Sequence, residues 1–333
     1  MIRIGFIGTG GMGMGQARAF AKVRGCQVCA CADPSPKSRR TFVEAFPDAS
    51  VYDGHRILLA DPDVDAAVVS VPTGVHCSIS IDALKARKPT LVEKPMARTT
   101  AQCRRMMEAA RRHRTLLMVA HCRRFDPGFM SMVKAVRAGK VGRPAVYRHV
   151  MAGMGPGNWF LDDRLGGGPL LDGAVHKYDL ANLMFGDPER VISSGLNFDP
   201  TVTAMDTGTA VVRYAEDNQL LVSWSWRGRG LGLDDVIGPR GFLQPGTGSL
   251  NPPAGEKGKY GYHCLTDLAG RERLIRHRLG SENMYVEQAR HFVSCIQRKS
   301  RCRSPGEDAI KAVAVGEAVL KAARGMQARN VTW

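Results

Sequence analysis

Lys94, Asp172 and His176 are the side chains of this 333-residue chain best suited to managing a proton. A histidine, with an ordinary pKa of about 6.5, takes and returns a proton near neutral pH, and a lysine can donate to an oxygen on which negative charge develops. Asp172 and His176 stand four apart in Gly167-Gly168-Pro169-Leu170-Leu171-Asp172-Gly173-Ala174-Val175-His176-Lys177-Tyr178-Asp179, a glycine-rich loop running into a helix, which puts both on one helical face. Lys94 follows Glu93 in Val92-Glu93-Lys94-Pro95, where an apolar strand ends. Taken singly, His176 reads as a satisfied polar residue at a helix start and Lys94 as a solvated charge. The chemistry depends on the elements that position them.

Those elements begin with residues 3–7, an apolar strand closed by Gly8-Thr9-Gly10-Gly11-Met12-Gly13 and followed by helical spacing through Ala17, Phe20 and Ala21. A second strand over 27–32 stops at Asp33, twenty residues beyond Gly13. A glycine triad alone is a weak signal, but closing a strand, opening a helix and preceding a strand-end acid make it a dinucleotide-binding turn. Gly8 permits the tight turn, Gly10 lets backbone approach a pyrophosphate and Gly13 lets helix pack on strand. Asp33 is placed to accept from the adenosine ribose hydroxyls and to repel a 2′-phosphate, favouring NAD, while Arg39 and Arg40 keep NADP possible.

Further strands over 65–71, 90–93 and 116–121 alternate with helical stretches over 36–46, 75–87 and 99–114, the pattern of a doubly wound parallel sheet. In such a sheet ligands bind outside the carboxyl ends of the strands, which is where Lys94 falls.

The length calls for two domains, and the reading divides them into residues 1–121 and 122–333, joined tightly near 121–126. With 44% hydrophobic and 23% charged residues the composition is that of a folded soluble protein rather than a disordered one. The opening residues are interrupted too soon by glycine for a secretory leader, and no apolar run approaches the ~18 residues of a membrane span, so the expectation is a cytoplasmic protein with no membrane partner. Nine cysteines without a paired framework read as reduced core residues, and Cys26, Cys29 and Cys31 lack a second ligand cluster, so no metal is expected. The net charge of +16, with runs at 111–114 and 271–278, reads as a solvated basic face, because no nucleic-acid recognition motif accompanies it.

In their order along the chain, these motifs resemble the oxidoreductases grouped with glucose-fructose oxidoreductase, inositol 2-dehydrogenase and MocA. The matching features are the opening glycine loop, Val71-Pro72-Thr73-Gly74-Val75-His76, Glu93-Lys94-Pro95, Arg123-Arg124-Phe125-Asp126-Pro127, the 167–179 stretch, and Met284-Tyr285 leading into a helix through Phe292. The resemblance implies an α/β protein: a Rossmann domain, then an α/β domain with an open, mostly antiparallel sheet that often makes a dimer or tetramer contact, with the active site in the cleft and the C-terminal helix near the junction. It puts Lys94, Asp172 and His176 on the catalytic positions. His176 would be general base, Lys94 would orient the substrate oxygen, and Asp172 would position His176 or the hydroxyl; Glu93 would hold Lys94 or contact the cofactor. Pro72, Thr73 and His76 would lie along the nicotinamide half, and Arg124, Asn158, Trp159 and Tyr285 would line a pocket for a polyhydroxylated ring.

Two departures bear on that pocket: His121-Cys122 before Arg123, where asparagine or a similar polar residue is usual, and Ala174-Val175 before His176, where a small polar residue or glycine is usual. Residues 228–262, rich in glycine and proline, read as sheet broken by long loops. The function expected is NAD-dependent oxidation of a secondary hydroxyl of a sugar, cyclitol or derivative. The alternatives are glycoside cleavage through transient oxidation and a non-catalytic dinucleotide-dependent sensor.

Overall fold

Six short apolar strands pair in parallel to form the first sheet: β1 (Ile2–Ile7), β2 (Cys26–Ala32), β3 (Ser50–Tyr52), β4 (Ala66–Val69), β5 (Thr90–Val92) and β6 (Leu117–Val119). Their order is β3-β2-β1-β4-β5-β6, so the winding reverses between β1 and β4, where an α/β sheet opens a crevice at the strands' carboxyl ends. All four residues of β4 are buried, as expected of a strand covered on both faces. The intervening helices are α1 (Gly11–Ala21), α2 (Pro36–Ala45), α3 (His55–Ala60), α4 (Thr73–Lys85) and α5 (Thr100–Arg112). Side-chain caps set two of their starts: Ser35 Oγ accepts from Ser38 N at 3.3 Å, and Thr99 Oγ1 from Gln102 N at 3.2 Å.

A second, nine-stranded sheet follows α6 (Pro127–Arg137), whose start is set by Asp126 accepting from Phe129 N at 3.0 Å and by Pro127 in the first turn. Its strands are β7 (Val146–Ala152), β8 (Pro188–Leu196), β9 (Thr207–Tyr214), β10 (Gln219–Ser225), β11 (Leu233–Gly238), β12 (Gly241–Pro245), β13 (Tyr260–Thr266) and β14 (Glu272–Arg278), with α7 (Val175–Phe185) between β7 and β8. The order is β14-β13-β12-β11-β7-β10-β9-β8, antiparallel except for β7 beside β10, and β15 (Arg329–Asn330) adds a ninth strand beyond β8. The alternating side chains of β9 and β10 send Ala210, Val212, Leu220 and Val222 into a core shared with α6, α7 and the later turns of a C-terminal helix. Residues 228–262 contain β11, β12 and the start of β13 with a long loop over 246–259, in keeping with the expected broken sheet.

The computed structural model describes residues 1–325 and 329–333. They divide into two compact units: Met1–Cys122 with Glu282–Ile310, and Arg123–Ser281 with Lys311–Trp333. A single boundary after residue 121 would keep 282–310 with the second domain; the structure returns that segment to the first. The cause is the apolar face of α8 (Met284–Ile296), whose fully buried Phe292 packs edge-on against Phe20 of α1 at 6.1 Å between ring centres. The 310/311 division falls inside α9 (Gly306–Gly325). Among the described residues no helix is long and apolar enough to cross a membrane, and no group of three His, Cys, Asp or Glu is arranged to hold a metal ion. Burial pushes the thiols of Cys26, Cys29 and Cys31 up to about 11, which keeps them protonated near neutral pH.

Candidate active site

The turn after β1 is shaped by contacts that only glycine tolerates. Gly8 has φ +85°, and a Cβ there would sit 2.4 Å from the Ser70 carbonyl oxygen; one on Gly13 would sit 2.0 Å from that of Gly8. Gly10 and Gly11 have no protein atom within 4 Å of a Cβ position, so the outer side of the turn is open. No side chain caps α1 at Gly10, and its first-turn amides have no partner inside the helix, which makes the turn an anion cradle. Thr9 is buried and ties the turn to Asp33: its amide and hydroxyl donate to Asp33 Oδ2 at 2.8 and 3.2 Å, while Ser35 N donates to Oδ1 at 2.8 Å. The carboxylate is thereby oriented and keeps lone pairs for further donors. Arg39 Nη1 donates to the carbonyls of Asp33 and Pro34 at 2.6 and 3.1 Å, so its guanidinium lies against the backbone beside the acid. Met12 is exposed on the rim.

The ends of β4 and β5 supply the rest of this surface. Pro72 is half-buried and precedes α4, which begins at a buried Thr73. His76 is 1% exposed, with Nδ1 2.8 Å from the Pro95 carbonyl and Nε2 2.8 Å from that of Val71. The ring thus lies between two loop carbonyls and braces the segments that carry Val71 and Pro95. Glu93 is nearly buried; Gln16 of α1 donates to its Oε1 at 2.6 Å, the Lys94 amide donates to its Oε2 at 3.1 Å, and Gln288 of α8 donates to Gln16 at 3.4 Å. This relay from α8 through α1 to the end of β5 fixes the backbone from which the half-buried Lys94 projects. Tyr285, half-buried in the first turn of α8, belongs to the same unit.

In the second unit Asp172 lies in a π-helical turn, Pro169–Gly173, and His176 in the first turn of α7. The wider turn is visible in Ala174 N donating to the Pro169 carbonyl at 2.8 Å, and such turns concentrate at functional sites. Gly168, at φ +75°, lets the loop pass where a Cβ would lie 2.3 Å from the Met205 carbonyl oxygen. From Gly166 to Ala181 every residue is buried except His176. The segment is core that presents one imidazole.

The surrounding residues were only partly foreseen. Arg124 is 4% exposed and forms a two-pronged ion pair with Asp179, Nη2 to Oδ1 at 2.6 Å and Nε to Oδ2 at 3.0 Å, so its guanidinium orders α7 rather than offering itself whole to a ligand. Asn158 is exposed at φ +55°, and Trp159 is half-buried, stacked on Phe160 at 3.7 Å, outside the core. A polar cluster lies under α7: Lys177 Nζ donates to Asp234 Oδ2 at 2.6 Å, and His149 Nδ1 is 3.5 Å from Asp234 Oδ1. Burial, with Arg123 nearby, lowers the Lys177 ammonium to about 8 despite Asp234. Burial acts to raise Asp234, but His149 and Lys177 outweigh it and hold the carboxyl well below its ordinary range. Lys177 and Asp179 stood in the same glycine-led run as His176; their distant partners had no sequence signal.

Residues 2–121 match the family described as "Oxidoreductase family, NAD-binding Rossmann fold", and residues 129–243 match the GFO/IDH/MocA C-terminal domain. The chain belongs to the Gfo/Idh/MocA family. It is similar to inositol 2-dehydrogenase of Acidothermus cellulolyticus, 40% identical over 145 residues, a stretch covering 43% of this chain and 42% of that protein. Myo-inositol 2-dehydrogenase of Thermotoga maritima is 28% identical over 335 residues, 96% of each chain. The crystal structure of a probable dehydrogenase from Thermotoga maritima superposes with a TM-score of 0.78 at 25% identity, covering 99% of both chains. The resemblance read from the motifs, the α/β fold with its parallel and mostly antiparallel sheets, and NAD as cofactor are thereby shown for this Gfo/Idh/MocA protein. The open cradle at Gly10 and Gly11 and the oriented Asp33 carboxylate fit that dinucleotide.

Proposed function

We propose that this protein is an NAD-dependent dehydrogenase that oxidises a secondary hydroxyl of a cyclitol, sugar or sugar derivative. The observation that carries the reading is His176, the one accessible side chain in an otherwise buried segment, in a chain whose other unit carries a dinucleotide cradle. The similarity to inositol 2-dehydrogenases supports the substrate class. Bound NAD supplies the acceptor for the hydride that leaves the carbinol carbon. His176 takes the hydroxyl proton as the carbonyl forms, so charge balances within the step. Lys94 donates to the same oxygen and stabilises the negative charge that develops on it. Asp172 holds the imidazole or the substrate hydroxyl in line. Through the oriented Asp33 the chain prefers NAD to NADP, with Arg39 spent on the backbone.

A homodimer or homotetramer and a cytoplasmic setting belong to the same proposal. The first is supported by a row of outward side chains, Ile192, Val211 and Leu221, across β8, β9 and β10, with Ile192 61% exposed; the second by nine free thiols.

The test is NADH absorbance across inositols, hexoses, pentoses and sugar acids, with His176→Ala and Lys94→Ala beside wild type. A compound turned over by wild type and slowed 10²–10⁴-fold in the His176 variant supports the reading. Near-normal turnover in both variants overturns the assignment of the catalytic groups.

A further inference from the structure

Opposite the dinucleotide turn, at the amino-terminal edge of the first sheet, a cavity of about 640 Å³ opens where Pro89 leads into β5 and Thr115 and Leu116 lead into β6. Arg87, Arg112, Arg114 and Arg298 line it together with His113, and no acidic residue does. Among the described residues none of the four guanidiniums makes an ion pair or a side-chain hydrogen bond. We infer that this cavity is a second, separate binding site for a small phosphorylated metabolite carrying at least two negative charges.

The backbone shows how the cations were gathered. Helices α4, α5 and α8 all end at the cavity, and each closes with the same pair of hydrogen bonds. The amides of Arg87 and Lys88 donate to Leu84 and Ala83; those of Arg114 and Thr115 donate to Arg111 and Ala110; those of Arg298 and Lys299 donate to Cys295 and Ser294. This closure requires a left-handed residue just past the helix, a place where glycine is normal because a side chain is strained there. Here the three residues are arginines, Arg87 at φ +56°, Arg114 at +51° and Arg298 at +57°. The same closure after α6, in the other unit, uses Gly139 at φ +69°. Three arginines in strained positions around one cavity, with glycine in the same motif elsewhere, point to a use for the charge.

Complementing the helix ends does not exhaust that charge. Each carboxyl end carries about half a negative charge, so three of them leave roughly two and a half of the four positive charges unmet. The closing amides bond the carbonyls of Ala83 and Leu84, Ala110 and Arg111, and Ser294 and Cys295, so those six do not need the guanidiniums. Guanidinium forks match phosphate oxygens in pairs. A concave site without phenylalanine, tyrosine or tryptophan suits a compact anion rather than a nucleic-acid strand, which would need stacking surfaces.

The test uses the full chain saturated with NAD, so that the glycine turn is occupied, and titrates sodium pyrophosphate calorimetrically in chloride buffer at constant ionic strength. Wild type is expected to take up one pyrophosphate per chain. Arg114→Gly/Arg298→Gly is expected to bind it at least tenfold more weakly while its ligand-free melting temperature stays level or rises, because glycine relieves both strained positions. The single variant Arg298→Gly gives the same readout with less change to the fold. Absence of pyrophosphate binding by wild type would overturn the proposal. So would unchanged affinity in the variants, or a fall in melting temperature with affinity retained, which would make the arginines helix-end supports. A DNA duplex that binds more tightly than pyrophosphate and displaces it would replace the metabolite by nucleic acid.

Discussion

Lys177, next to the proposed base, is a cation kept in the core, and its protonation should be visible in stability. Its pKa falls from 10.5 unfolded to about 8 folded, mainly through burial, so between those values the unfolded chain holds a proton that the folded chain has released. Stability contributed at this position therefore rises with pH across that window. Measured by urea unfolding at pH 7.5 and pH 10, wild type should gain about 2 kcal/mol relative to Lys177→Met; a constant difference would show an unshifted lysine. Asp33 gives a second residue-scale expectation. Asp33→Ala removes a charged acceptor that Thr9 and Ser35 hold in place, and should weaken NAD binding by about ten- to a hundredfold, a loss of about 1.5–3 kcal/mol, read by fluorescence titration. Asp33 was legible because it lies at a fixed spacing from a glycine turn, and His176 because its neighbours form one motif. The relay that holds Glu93 was not, since Gln16 lies 77 residues from Glu93 and 272 from Gln288. Nor was the pairing of Arg124 with Asp179, which supports α7 from 55 residues away.

The elements were legible where pattern and punctuation agree. Apolar runs closed by glycine, proline or acid announced β1, β2, β4 and β5, an apolar run alone announced β6, and helical spacing announced α1, α2, α4 and α5. The three-residue β3 and six-residue α3 are too short to carry a period. The π-helical turn at Pro169–Gly173 was read as ordinary helix because i,i+4 spacing does not distinguish a four-residue from a five-residue closure. Its geometry rests on Gly168, so Gly168→Ala, which forces a Cβ against the Met205 carbonyl at positive φ, should cost more than about 1 kcal/mol in thermal unfolding and lower turnover with it. On the other unit, Phe292→Ala should cost about 3–5 kcal/mol through the cavity left beside Phe20; a change below about 1 kcal/mol would mean that α8 is not held by that face.

For the whole molecule, the division into units follows packing rather than chain order. Residues 282–310 close the first unit because α8 offers α1 an apolar face, a fact that hydrophobic periodicity records without naming its partner. The outward face of the second sheet raises the question of assembly. If the row through Ile192, Val211 and Leu221 joins copies of the chain, light scattering should find a dimer or tetramer, and Ile192→Glu should shift it toward monomer by placing a charge in that contact. A monomeric wild type would contradict the proposed oligomer.

The central claim is hydride transfer from a substrate carbon to NAD. Its most direct measurement takes the compound best turned over, deuterated at its carbinol carbon, and follows the label into the recovered cofactor by mass spectrometry. The account predicts reduced cofactor carrying the deuterium, in equal amount to a ketone product, with both lost in His176→Ala. Product formed by a broken glycosidic bond, with the cofactor still oxidised at the end, would contradict it.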